Sequence, residues 1–330
     1  MMQDEAVGYD AVEAAAARLA GKARRTPLLN DPAIDERAGC RVLIKAEPLQ
    51  RTGSFKFRGA YNRISSLDAP AIVAYSSGNH AQGVAMAARM LGRRATIVMP
   101  NDAPRIKRDA TRALGAEIVG YERGRDVREE IGDAIAAETG AVLVKPYDDP
   151  LVIAGQGTVG LEMAQQAREA GFTPELAVTC CGGGGLTAGI ALALRHHFPA
   201  IGVFAAEPHG FDDHRRSLEA GERRPHPTGS TSICDALLAP MPGELTFALN
   251  RRLLAGAVTV TDEEVMEAMA TAFERLKLVV EPGGAVALAA VLAGALDCRG
   301  KTVLVVLSGG NVDADLYARC LARARSTTSD

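Results

Sequence analysis

No uncharged apolar run in this 330-residue chain reaches membrane-spanning length, so a transmembrane helix is not expected. Residues 1–9 carry acids and no apolar core, which argues against a signal peptide. An excess of charge of one sign is also missing. Lys and Arg number 37 against 40 Asp and Glu, and the net of −3 argues against a nucleic-acid or anionic-membrane surface. The six cysteines (40, 180, 181, 234, 298, 320) include no CxxC pair. That speaks against a zinc ribbon or a secreted disulfide scaffold and for a reducing cytoplasm. There is no internal repeat and no long low-complexity linker. His196, His197, His209 and His214 lack a zinc spacing and read as surface or packing residues. What is present is a 47% hydrophobic share, enough to fill the core of one large or two modest domains.

The most informative stretch is Cys181-Gly182-Gly183-Gly184-Gly185-Leu186-Thr187-Ala188-Gly189, between an apolar run at 176–180 and a helical pattern at 186–197. Strand, glycine loop and helix start together make an anion site. The glycines let the backbone turn sharply and bring bare N–H groups close, and the helix N-terminus adds free donors and a positive dipole end. Four consecutive glycines are costly to order, which disfavours a plain connector. Two ligands compete at this point. Gly183, Gly185 and Ala188 fit the dinucleotide spacing G-x-G-x-x-A, with Glu207 where a ribose-binding acid would stand, so a nicotinamide oxidoreductase is one reading. A monophosphate is the other.

Along the rest of the chain, apolar strand runs alternate with helical patterns. Strands are expected at 41–47, 71–75, 95–99, 117–120, 141–145, 176–180, 201–206, 258–260 and 302–307. Helices are expected at 11–19 with Asp10 as cap, 54–64 with Ser54 as cap, then 79–91, 104–114, 125–138, 155–170 and 186–197. Three more follow: 262–277 behind the capping box begun by Thr261, 282–292 and 314–323. Residues 208–249 read as irregular. The pattern is α/β, with parallel-rich sheets covered by helices. In such folds the ligand crevice lies at the carboxyl ends of the strands. The loops there hold Ser54 to Lys56, Ser76 to His80, the glycine loop, and Ser308 to Asn311. A dinucleotide needs only one of them.

Taken together, these loops resemble the pyridoxal-phosphate enzymes of fold type II, in the threonine/serine dehydratase and serine racemase branch. Ser54-Phe55-Lys56-Phe57-Arg58-Gly59 is similar to the family's lysine motif and Ser76-Ser77-Gly78-Asn79-His80 to its substrate loop. Gly182 to Leu186 is similar to its phosphate loop and Ser308-Gly309-Gly310-Asn311 to its pyridine-nitrogen motif, all in family order. The resemblance implies a tryptophan-synthase-β-like architecture: a large cofactor domain from residues 1–67 plus 148–330, and a small mobile domain from 68–147. It implies pyridoxal 5'-phosphate as cofactor and a homodimer acting on a small amino-acid substrate. Lys56 would carry the cofactor and act as general base. Asn79 would bond the ring 3-oxygen, and Gly182, Gly183, Gly184, Gly185 and Leu186 would hold the phosphate. Ser308 would face the pyridine nitrogen. Ser77, Gly78, Asn79 and His80 would cradle the substrate carboxylate, with Ser77 as a second acid/base on the opposite face.

The implied reaction is β-elimination from a hydroxy amino acid such as threonine or serine, giving a 2-keto acid and ammonia. An amino-acid racemase on the same scaffold is the alternative. A non-catalytic binding protein would leave Lys56 and Ser308 without a role. The racemase branch also binds a hard cation, which by position implies Glu207, the Phe211 carbonyl and Asp213 as ligands for Mg²⁺ or Ca²⁺. An exposed acidic turn is the competing reading. Cys181 has no evident base partner and reads as small and buried. Two departures stand out. The chain ends soon after the Ser308 motif, so feedback through an added regulatory domain is not expected. Ser232-Ile233-Cys234-Asp235-Ala236-Leu237 replaces the usual Ala-Asp-Gly segment and resembles the hydroxyectoine-utilisation dehydratases.

Overall fold

The computed structural model describes residues 7–76 and 78–327, without the side chains of 325–327. Ser77, one of the expected site residues, lies outside the described residues. Two sheets organise the chain. The larger has six strands: β1 (Leu28–Leu29), β2 (Arg41–Ala46), β7 (Leu176–Cys180), β8 (Gly202–Pro208), β9 (Gly256–Val260) and β10 (Thr302–Leu307). Their order is β1-β2-β10-β7-β8-β9, all parallel except the antiparallel edge pair of β1 with β2. The smaller sheet is wholly parallel and has the order β5-β4-β3-β6, from β3 (Ala71–Tyr75), β4 (Arg94–Pro100), β5 (Glu117–Tyr121) and β6 (Val142–Leu143).

Strands with both faces covered need apolar residues at every position. Val303, Leu304, Val305, Val306 and Leu307 meet this in β10, the centre of the large sheet, and all are buried. Val305 is in register with Ile44 on one side and Val178 on the other. The helix α12 (Pro282–Leu292) is buried from Pro282 to Val291, so it is apolar all round rather than along one stripe.

The position of α3 (Lys56–Ser65) fixes the site. It crosses α7 (Pro150–Glu169) where two glycines touch: a Cβ on Gly155 would stand 2.6 Å from the Cα of Gly59. Only hydrogen at both positions lets the helix axes approach so closely.

Several local expectations change in the structure. Ser54 does not cap α3. It is extended, bridges Gly309, and its hydroxyl is buried without a partner. The Phe55 N–H goes to the Ser308 carbonyl at 3.1 Å, so pairing with the 308–310 loop competes with capping and wins. Asp10 lies inside the first turn of α1 (Tyr9–Leu19) behind Gly8, and makes no cap bond. α7 begins earlier than expected because Asp149 caps it, accepting N–H bonds from Leu151 and Val152 at 2.9 and 3.0 Å. The segment expected to be irregular holds α9 (Asp213–Ala220) and the first turns of α10 (Glu244–Leu253). Thr261 does form the capping box of α11 (Asp262–Thr271).

Candidate active site

Three loops meet at the carboxyl end of the large sheet, and backbone pairing holds two of them together. The 308–310 turn after β10 bridges Ser54, and Gly310 N–H donates to the Gly53 carbonyl at 2.9 Å. Glu281, just before α12, donates its N–H to the Gly309 carbonyl at 3.0 Å. Lys56 and Ser308 therefore reach the same cavity by main-chain constraint, not by side-chain packing alone.

Lys56 opens α3, and its Nζ donates to the Pro146 carbonyl at 2.7 Å. Burial lowers its pKa to about 8, against weak opposing pulls from Cys180 and Glu281. Such a lysine is a usable nucleophile and base near neutral pH.

Facing it is the glycine loop between β7 and α8 (Gly185–His197). Gly184 has φ +90°, a left-handed conformation that favours glycine. There is also no room for side chains. A Cβ on Gly183 would enter the ring of Tyr147, one on Gly185 would lie 3.0 Å from the Tyr147 carbonyl, and one on Gly184 would lie 2.5 Å from His214 Nε2. The loop is thus a bare backbone cradle at a helix N-terminus.

Asn79 begins α4 (Asn79–Met90). Its Nδ2 donates to Glu281 Oε1 at 2.5 Å, and its Oδ1 accepts from Asn311 Nδ2 at 2.9 Å. His80 is buried with Nε2 2.9 Å from the Val144 carbonyl. Burial, then the charge of Lys56, pushes its pKa down to about 3, so the ring is neutral. Ser308 stands at the end of β10 beside the Cys180 thiol, which burial raises to about 11. The cavity wall includes Lys56, Gly78, Asn79, His80, the four loop glycines, Leu186 and Ser308. Every expected cofactor or substrate residue outside the cation set is therefore in one place, Ser77 excepted as undescribed.

Sequence reasoning missed other members of this wall. Lys107, fully buried on α5 (Arg105–Ala113), pairs with Glu281 at 2.9 Å and with Asp235 at 2.8 Å. Burial opposes its charge, but Glu281 and Asp235 outweigh it and raise its pKa. Burial likewise raises Glu281, against the pull of Lys107. Cys180 and Arg128 also line the cavity. Arg128 stacks over Tyr75 at 5.1 Å and bonds Glu129 at 2.8 Å. The one available signal was Asp235, inside the unusual 232–237 segment.

The expected cation residues do not line this cavity. Glu207 and Asp213 are fully buried, which removes the exposed-turn reading. Both Glu207 oxygens accept backbone N–H bonds, from His214 and Arg215, at 2.8 Å each. Glu207 lies outside the cavity wall and so offers no oxygen to a ribose there. Burial and the facing Asp213 raise its pKa well above the usual carboxylate range. His214, expected at the surface or in packing, is fully buried in the same cluster. Phe211 lies in the turn before α9 with its ring on His226. Cys181 is buried, as expected of it.

Residues 19–309 match the family model described as pyridoxal-phosphate dependent enzyme. The chain is 43% identical over 319 residues to an L-threo-3-hydroxyaspartate ammonia-lyase of Pseudomonas sp, covering 95% of this chain and 98% of that one. Its fold is similar to a T.th. threonine deaminase, with TM-score 0.87 and 45% identity over 92% of this chain and 98% of that one. It is also similar to maize serine racemase, with TM-score 0.89 and 35% identity over 98% of this chain and all of that one (100%).

Proposed function

The chain belongs to the pyridoxal-phosphate-dependent enzymes, and from that premise we propose that it eliminates water from a hydroxy amino acid such as threonine or serine, giving an enamine that water then hydrolyses to a 2-keto acid and ammonia. The observation that carries this is the buried Lys56 amine, pulled to about 8, facing a side-chain-free anion cradle across one cavity.

The residues present fit the cofactor. Lys56 would hold it through Nζ, and the N–H groups from Gly182 to Leu186 would hold its phosphate. Asn79 would face the ring oxygen and Ser308 the pyridine nitrogen. When bound, the cofactor draws electrons from the substrate α-carbon and so acidifies it. Lys56 is the general base for that proton, since a pKa near 8 leaves a far larger neutral fraction near neutral pH than an ordinary lysine has. Ser308 has no charge to stabilise a protonated ring nitrogen, unlike a carboxylate. The electron sink is weaker for it, which favours prompt loss of the β-hydroxyl. Gly78 is the N-cap of α4 and Asn79 and His80 open it, and N–H groups at that helix start suit the substrate carboxylate, with Ser77 assigned to the same role. His80 stays neutral and adds no second base.

A second reading concerns the substrate, and Arg128 favours it. Lys107 is neutralised by two carboxylates, whereas Arg128 keeps one exposed partner and reaches the cavity wall. A guanidinium there suits a substrate with a distal carboxylate, in keeping with the hydroxyaspartate-lyase relative. Hydroxyectoine catabolism rests on the 232–237 segment alone. Racemisation through Ser77 accompanies elimination as a side activity.

The proposal extends to three further features. Residues 68–147, which hold the whole smaller sheet, form a mobile domain that closes over the substrate. The enzyme is a homodimer in the cytoplasm, where its six buried free thiols stay reduced. Glu207, the Phe211 carbonyl and Asp213 hold a divalent cation.

The test is release of keto acid and ammonia from a panel of threonine, serine and 3-hydroxyaspartate stereoisomers, with chiral analysis of recovered substrate. Keto-acid release must dominate. Enantiomer interconversion much faster than keto-acid release overturns the lyase reading, and tight NAD binding without pyridoxal phosphate overturns the family chemistry.

A further inference from the structure

Beneath the glycine loop, three buried side chains face one another without satisfying one another. Asp213 is fully buried, and neither of its carboxylate oxygens has a hydrogen-bond partner. His214 Nδ1 is also buried and unpartnered, 3.7 Å from Asp213 Oδ2 and 3.9 Å from Glu207 Oε1. Both distances are too long for a hydrogen bond. Among the described residues, no Lys or Arg side chain pairs with Glu207 or Asp213. Two buried carboxylates beside an unused ring nitrogen lack only a cation.

We propose that His214 is a ligand of that cation through Nδ1, so that the site is a mixed nitrogen–oxygen centre for a first-row transition ion such as Mn²⁺ rather than an all-oxygen site for Mg²⁺ or Ca²⁺. The inference deepens the proposed cation site and rests on it. The ligand atoms of Glu207, Asp213 and His214 lie within 4.8 Å of one another. An ion about 2.2 Å from each ligand spans about 4.4 Å, so a small inward shift closes the site. Imidazole nitrogen suits transition ions, whereas Mg²⁺ and Ca²⁺ prefer oxygen.

The surroundings of the ring fit the same role. A ligating histidine donates its other N–H to a fixed acceptor. His214 Nε2 lies 3.2 Å from Asn250 Nδ2, while Asn250 Oδ1 is buried without a partner. Turning the Asn250 amide over exchanges its long 3.4 Å bond to the Gly184 carbonyl for one in which Oδ1 accepts from Nε2–H, and leaves the Nδ1 lone pair free for the ion. The imidazole proton then sits on Nε2. The same ring edge packs where a Cβ on Gly184 would fall, so the ion would brace the turn that starts α8.

The probe is Mn²⁺, titrated into holoenzyme that has been treated with chelator and dialysed. Loss of the free-ion electron spin resonance signal gives the affinity, and electron spin echo modulation reports a directly bound nitrogen. The expected result is one Mn²⁺ per chain with strong nitrogen modulation. His214→Gln should remove the modulation and weaken Mn²⁺ by at least about tenfold, with Ca²⁺ affinity little changed. Asp213→Asn should weaken both ions. Bound Mn²⁺ without nitrogen modulation overturns the ligand assignment while leaving a cation site in place. Failure of both Mn²⁺ and Ca²⁺ to bind overturns the site itself. If His214→Gln does not fold, the nitrogen signal of the unaltered enzyme decides.

Discussion

Replacing Arg58 by Met removes the cation at the centre of a buried charge network two residues beyond Lys56. Arg58 Nε and Nη2 bond the two oxygens of Glu47 at 2.9 and 2.8 Å, and Nη1 and Nη2 bond those of Glu162 at 2.7 and 2.9 Å. The consequences for the two acids differ. Glu162 keeps Lys45 at 2.7 Å and is partly open to water. Glu47 is fully buried and, among the described residues, keeps only the Thr26 hydroxyl at 2.5 Å as a hydrogen-bond donor to its carboxylate. Breaking a buried pair by removing one partner costs about 3–5 kcal/mol, because the other charge is stranded. At about 2–4 °C per kcal/mol for large domains, the melting temperature should fall on the order of 10 °C.

The pH dependence identifies the cause. In the intact protein burial opposes the Glu47 charge, but Arg58 outweighs it and holds the carboxyl below its usual range. That pairing stabilises the fold above about pH 4.3, the unfolded value, and is lost as pH falls through the lower folded value. Without Arg58, burial dominates and Glu47 binds a proton more readily when folded. The deficit of the variant should therefore shrink between pH 7 and pH 5. Adding Glu47→Gln should recover part of the loss at pH 7. Calorimetric scans of the four proteins of this cycle, at one scan rate, make the measurement. A loss below about 1 kcal/mol, or no coupling between the two sites, refutes the reasoning.

Three further outcomes follow from the site. Lys56→Ala should abolish keto-acid release and the borohydride-reducible near-visible absorbance; retention of that absorbance with no added amine would assign the cofactor to another residue. Because the neutral amine is the reactive form and Lys56 lies near 8, reloading of cofactor-free protein should speed up through about pH 8 and then level off; a midpoint near the ordinary lysine value would mean that burial does not tune it. Gly184→Asp places a side chain on φ +90° against His214 and a carboxylate beside the anion cradle, so cofactor retention on dialysis should fall steeply, with native-like circular dichroism separating this from misfolding.

The chain's own order of residues determined the elements and the chemistry of the loops. Apolar runs such as 302–307 read as buried strands because a doubly covered strand leaves no polar face. The capping box at Thr261 read correctly because its two bonds span only three residues. The glycine loop is legible as a local backbone requirement at a strand's end, whereas Lys56, Asn79 and Ser308 stand out through the resemblance of their motifs to a known family. Long-range competition was not legible. Ser54 has the composition of a cap, but Gly309, distant in sequence, pairs with its backbone and draws it into an extended bridge. The helices α9 and α10 lay hidden in a stretch rich in Pro, Arg and His, because their stability comes from packing on β8, β9 and α8 more than from periodicity. Tertiary structure also decided which charges face each other. Lys107 meets Glu281 and Asp235 across 174 and 128 residues, and Arg58 meets Glu162 across 104. Glu207, Asp213 and His214 are close in sequence, but their burial is not. Only folding takes them out of water and leaves both Asp213 oxygens and His214 Nδ1 buried without a hydrogen-bond partner.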